Sequence, residues 1–189
     1  DFLAFANANL AGPVGLLFAF IWTLVVRPFG VELAAKRLTR FSWHDIVGMT
    51  RPASLAEHRR LGVQMLDRLM QHLPRLTQTG QDTGSALRDL RVGLNLLDLL
   101  AYMPRATPTV RAALERVIDE VGAHFQACLR ARQRLHASAG LLQHMERARR
   151  ALNLQAMADC GETRLHLLHA LSGLRLALLP GVEVVLEPS

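Results

Sequence analysis

The sequence predicts an all-α protein: one transmembrane helix followed by a cytoplasmic antiparallel helical bundle. Three observations carry that expectation. The 25 residues from Phe2 to Val26 contain no charge. The chain behind them repeats apolar side chains at three- and four-residue spacing, the period of a helix with one buried face. Runs of Val, Ile and Thr are scarce, and no strand-like alternation of apolar and polar residues occurs.

As a helix, the apolar run would reach about 37 Å at about 1.5 Å per residue, more than the roughly 30 Å of a bilayer's hydrocarbon core. A long soluble core helix is the alternative, but such helices are rarely apolar on every face. Trp22 lies near the charged end, at the level where an amphipathic indole meets headgroups. Gly12, Pro13 and Gly15 suit a helix whose neighbours can re-satisfy freed backbone groups. A cleaved signal peptide does not fit, because basic residues follow the run and do not precede it. Asn7 and Asn9 sit in the first third of the run. An amide costs free energy in hydrocarbon unless it is bonded, so both are expected to face other helices or to line a polar substrate path.

The flank orients the helix. Arg27, Lys36, Arg37 and Arg40 follow it, against Glu32 alone. Positive residues next to a span stay in the cytoplasm, where they meet anionic lipid headgroups or attract anions; the plainer reading is a solvated helix face. The expected division is a transmembrane helix at 1–27, a juxtamembrane helical linker at 28–52, a cytoplasmic helical bundle at 53–181 and a tail at 182–189. The chain opens abruptly at the edge of a span, so this helix is expected to be the last of a larger membrane domain. One span alone encloses no transport path.

The bundle's helices follow from their punctuation. "VELAAKRLTRF" continues the first helix with a thin stripe of Val31, Ala34, Ala35 and Leu38. Ser42 with Asp45 three residues on has the form of a capping box, which predicts a new helix there, and Pro52 ends it. Ser54 with Glu57 is a second box. It opens a helix with the stripe Gly62, Leu66, Leu69, Leu73 and Leu76, kinked or ended early by Pro74. The polar, Gly-rich stretch 77–85 is a loop. Leu87, Leu90, Leu94, Leu97 and Ala101 make the next stripe, widened by Leu96, Leu99 and Leu100. Thr107 then caps and Pro108 begins a helix to about 136, with Leu114, Val117, Val121, Phe125, Cys128 and Leu135 inside. A weak interruption at 136–140 precedes a helix over 141–158, with Leu141, Met145, Ala148 and Leu152 in register. The last helix, 162–179, carries Leu165, Leu168, Leu171, Leu174 and Leu178, and Pro180 with Gly181 stops it. Stripes of this width must pack on one another.

The net charge of +6 comes almost wholly from arginine, since Lys36 is the sole lysine. The arginines are interleaved with Asp and Glu, which predicts solvated faces and intrahelical pairs. No zinc-finger spacing, aromatic RNA-binding motif or basic tail points to nucleic acid. No phosphate-binding glycine loop or nucleophile elbow occurs, so no enzyme and no cofactor is expected. Cys128 lies four residues from His124, conceivable as a nucleophile and base, but the ordinary reading is a core thiol beside a half-buried imidazole. Cys128 and Cys160 are expected to be reduced. His166 and His169, with Cys160 nearby, lack a carboxylate partner for a metal, and none is expected; His136 and His144 are expected at the surface. Asn95 and Asp98 stand among leucines as a buried polar pair or, more simply, as solvent-facing residues between apolar stripes.

Taken in order, a last span with Asn and Gly, then "LVVRPFGVELAAKRL", then helices ending "LHALSGLRLALLPG", resembles the carboxy-terminal part of the fusaric acid resistance family of bacterial inner-membrane efflux proteins, related to aromatic acid exporters. The residues that carry it are Arg27-Pro28 with Glu32, Lys36-Arg37-Leu38, and Gly173-Leu174-Arg175 with Leu178 and Pro180. The resemblance runs from about residue 2 to 181. It implies a multi-span transporter that exports aromatic or other weak organic acids, driven by the proton gradient. It also implies a periplasmic adaptor (membrane fusion) protein and an outer-membrane channel as partners. A homo-oligomer is expected from the small residues of the span. "FSWHDIVGMT" departs from the Arg-rich continuous helix that the resemblance implies. A membrane-anchored scaffold without transport activity is the alternative.

Overall fold

The computed structural model describes the backbone over residues 2–78, 83–154 and 161–179, and side chains over 12–22, 36–74, 84–154 and 161–179. Six α-helices and one 3-10 turn, Met103–Arg105, make up the described residues, with no strand among them. The expected all-α class holds.

Helix α1, Phe2–Met49, is unbroken over 48 residues. The restart expected at Ser42 does not occur. Ser42 lies mid-helix, and the side chain three residues on turns inward, with Asp45 buried. What ends α1 is the turn before Pro52, where Thr50 donates from Oγ1 to the Val47 carbonyl at 2.9 Å. The last turns of α1 belong to the core, since Trp43, Ile46, Val47 and Met49 are buried in the same cluster as the helices that follow. Its other described stretch, 12–22, is exposed at every position. Leu16, Leu17, Phe18, Phe20, Ile21 and Trp22 find no cover there. Each forfeits about 1.5–3 kcal/mol relative to full burial, and an uncovered apolar patch of this kind marks an interaction surface. Among the described residues no helix is long and apolar enough to cross a membrane; of the charge-free run, side chains are described at 12–22 only.

Helix α2, Leu55–Gln78, opens as expected on the box of Ser54 and Glu57. The Ser54 amide donates to Glu57 Oε2 at 2.9 Å and the Glu57 amide to Ser54 Oγ at 3.3 Å. Pro74 does not stop it: the helix runs on for four residues past the proline, to Gln78. The buried face is His58, Gly62, Met65 and Leu69, while Leu66 is turned out. Helix α3, Thr83–Tyr102, lies against α1, α2 and α6. Its core side is Val92, Leu96 and Leu99, and the expected stripe positions Leu87 and Leu94 are exposed.

Helix α4, Pro108–Ala131, follows Thr107 in the cap position, with the Arg111 amide on the Thr107 carbonyl at 2.8 Å. Its expected face is buried through Cys128, but it stops five residues before the expected end, at Arg132, whose φ of 55° is left-handed. Leu135 lies beyond it. Residues 132–138 are therefore a true connection, and the Leu141 amide donates to Ser138 Oγ at 3.1 Å to cap helix α5, Ala139–Leu154. In α5 the expected Leu141, Met145, Ala148 and Leu152 are all buried. Helix α6, Gly161–Leu178, buries Leu167, Ala170, Leu171, Leu174 and Ala177, and leaves Leu165 64% exposed. It packs on α3 at close range. A methyl group added at Gly173 would sit 2.4 Å from Asn95 Oδ1, so the Asn95 amide would have to shift to admit it.

Candidate functional site: an ionic clamp at the foot of the long helix

Two buried carboxylates tie α1 to the helices around it. Asp89, on α3, is wholly buried. It accepts from the indole Nε1 of Trp43 on α1 at 3.1 Å and from the guanidinium of Arg134 in the α4–α5 connection. The Arg134 guanidinium also lies over the Trp43 ring, 5.8 Å from its centroid. Asp45, two residues further along α1, is paired with Arg68 of α2, whose guanidinium lies 5.4 Å from the Phe41 ring centroid. Two ion pairs and the Trp43 indole bond thus join four segments distant in sequence.

Burial raises the carboxyls of both Asp45 and Asp89 above their ordinary value of 3.8, and the facing arginines offset part of that rise. Protonation of either one removes the charge its arginine answers. Beside this clamp, Cys128 is buried, with its Sγ 3.7 Å from His124 Nε2 and accepting the Leu135 amide at 3.4 Å. Burial raises the thiol, and burial with Arg134 lowers His124 below its ordinary 6.5. Burial thus disfavours both the thiolate of Cys128 and the imidazolium of His124. His58, also buried, lies with Nε2 3.1 Å from the Arg51 carbonyl, closing the α1–α2 turn.

Of the residues singled out from sequence, Lys36, Arg37 and Arg40 fall within little more than one turn of α1 and are all exposed. The side chains of Asn7, Asn9 and Arg27 lie outside the described residues, as do Cys160 and the tail 182–189. Asp98 is exposed, but Asn95 is buried and donates from Nδ2 to the Arg91 carbonyl at 2.7 Å, which corrects the solvent-facing expectation for it. His136 is exposed, and His144 is half-buried, with Nε2 4.0 Å from Glu120. His166 stacks on Tyr102 with centroids 4.2 Å apart. Among the described residues no group of His, Cys, Asp and Glu is placed to hold a metal.

The clamp escaped the sequence reading because its partners lie 23 and 45 residues apart. One local signal was present: Trp43, Ile46 and Val47 stand at three- and four-residue spacing across Ser42–Asp45, which argues for one continuous helix there.

A helical bundle held by buried ion pairs, and continuous with a helix whose apolar side chains at 12–22 are uncovered, defines the class: an all-α domain with an exposed apolar helical surface. The profile of the fusaric acid resistance protein family matches residues 1–185, nearly the whole chain, and the chain belongs to that family. The family is one of membrane efflux transporters and is not enzymatic. No curated protein and no solved structure matches the chain.

Proposed function

We propose that this chain is the carboxy-terminal part of an inner-membrane efflux protein that exports aromatic or other weak organic acids in exchange for protons. In this reading residues 1–27 form the last span of a larger membrane domain. Residues 28–52 leave the bilayer, and residues 28–189 are cytoplasmic in a bacterial cell. The observation that carries it is the family match over residues 1–185. The uncovered apolar surface of 12–22, continuous through one helix with the clamped bundle, supports it.

The roles follow from charge. Weak acids are anions at neutral pH, and Arg27, Lys36, Arg37 and Arg40 raise their concentration at the membrane surface or bind lipid headgroups. Asn7 and Asn9 line the substrate path. A periplasmic adaptor protein and an outer-membrane channel complete the route, and the transporter is a homo-oligomer.

The test is the accumulation of an aromatic acid in cells with and without the intact gene, at two external pH values. Export predicts lower accumulation with the gene and a response to both changes. Equal accumulation would overturn the reading in favour of a membrane-anchored helical scaffold. Neutralising Arg27, Arg37 and Arg40 together should weaken export of anionic but not of neutral substrates; equal loss for both would remove their assigned role.

A further inference from the structure

Helices α5 and α6 leave an open groove of about 600 Å³ between them, away from the clamp. Its floor is apolar, built from Leu142, Leu171 and Leu179, and its rim is basic. Glu146 is the single carboxylate in the lining, and it is already engaged. Arg149 donates to it through Nε at 3.0 Å and Nη2 at 2.7 Å, and Arg150 through Nε at 3.3 Å. Arg147 and Arg175, from opposite walls, line the same groove, and among the described residues their guanidinium groups have no hydrogen bond or ion pair. An apolar floor beneath two unanswered guanidinium groups is complementary to one kind of occupant.

We infer that this groove binds an organic anion with a compact apolar body: the body lies on the leucines of α5 and α6, and the carboxylate or sulfonate is held by Arg147 and Arg175. A guanidinium offers a planar fork of donors that matches a carboxylate in two parallel bonds. The volume lies within the range of sites for small molecules, about 300–1,000 Å³. The inference rests on the lining of the groove and not on export; the groove can serve as a cytoplasmic capture or sensing site whether or not the ligand is the transported species.

The test is equilibrium dialysis of the intact protein in detergent micelles against labelled 1-naphthoate and, separately, its uncharged relative 1-naphthalenemethanol. Saturable binding of naphthoate is expected, with the alcohol at least tenfold weaker. The variant R147Q/R175Q should lose at least tenfold in naphthoate affinity with unchanged circular dichroism. R116Q/R130Q, which removes two exposed α4 charges outside the groove lining, should bind as the parent does. Four results would overturn the inference. The acid and the alcohol could bind equally. The affinity could survive in R147Q/R175Q. R116Q/R130Q could lose as much. A synthetic peptide of residues 181–189 could displace naphthoate at lower concentration than naphthoate displaces itself, which would make the groove the seat of the chain's own tail. Because binding is read without transport, a protein that binds naphthoate and exports nothing keeps the groove and loses only the efflux reading.

Discussion

Replacing Arg134 with leucine removes the charge that answers Asp89 and leaves the apolar stem's volume in place. Asp89 is wholly buried and, among the described residues, keeps the Trp43 indole as a donor and the more weakly acting charge of Arg88. A carboxylate so poorly answered escapes its desolvation by taking up a proton. For a group of ordinary pKa 3.8 this costs about 4 kcal/mol at pH 7, at about 1.4 kcal/mol per pH unit. Burial has already raised the carboxyl, and Arg134 is itself 30% exposed, so the observed loss should be smaller, about 2–4 kcal/mol at pH 7. The signature is its pH dependence. The folded-state pKa of the variant lies above the unfolded value, so its relative stability rises as pH falls. The deficit against the parent should shrink by up to about 1.4 kcal/mol for each unit of acidification between pH 7 and 5. D89N/R134L, which has no charge to neutralise, should lose less at pH 7 and show no such slope. Urea unfolding in detergent, followed by Trp43 fluorescence in a W22F background, reads both quantities. A deficit for R134L that is constant from pH 7 to 5, or under 1 kcal/mol at pH 7, would refute the claim that this pair clamps the helices.

Three further outcomes follow from the packing. Gly173→Ala places a methyl group against Asn95 Oδ1 and should cost about 1–3 kcal/mol, partly recovered in N95A/G173A; an unchanged melting temperature for G173A would contradict the close α3–α6 approach. Ser138→Ala removes the acceptor for the Leu141 amide and should cost about 1 kcal/mol in urea unfolding, with Ser138→Asp restoring it; equal stability for both variants would deny the cap. His124 has its pKa lowered by burial and by Arg134, so the stability it contributes is present above pH 6.5 and is lost as pH falls through the lowered value. H124N should flatten the stability curve in that window, and a curve that keeps its slope would assign the titration elsewhere.

How far the sequence could be read depended on how many neighbours each helix has. Helix α5 buries a single stripe against α4 and α6, and the spacing of Leu141, Met145, Ala148 and Leu152 gave it without error. Helix α3 touches three others, so its buried arc is wide and includes Asp89 and Asn95. Counting leucines there selected Leu87 and Leu94, which face outward. In α6 the close approach to α3 falls on Gly173, and the buried face includes Ala170 and Ala177, small residues that stand out less than Leu165, which is exposed. Ser42 and Asp45 copy a capping box locally, but the site of Asp45 is decided by Arg68, which local spacing does not reveal. The family resemblance was carried by the order of short motifs over the whole chain, and the match over residues 1–185 bears it out. The clamp needed coordinates, because an ion pair between helices leaves no periodicity.

The unbroken course of α1 makes the number of residues between its two ends a setting of angle. Each residue turns a helix by about 100° and advances it about 1.5 Å. Between Trp22 and Trp43 the helix is unbroken, so no loop takes up an added residue. One insertion there would swing the apolar end by more than a quarter turn about the axis relative to the bundle, whereas seven would return it to within about 20°. Chain length in this stretch therefore acts as a phase, and deletions that look harmless by composition would leave both parts folded but facing the wrong way.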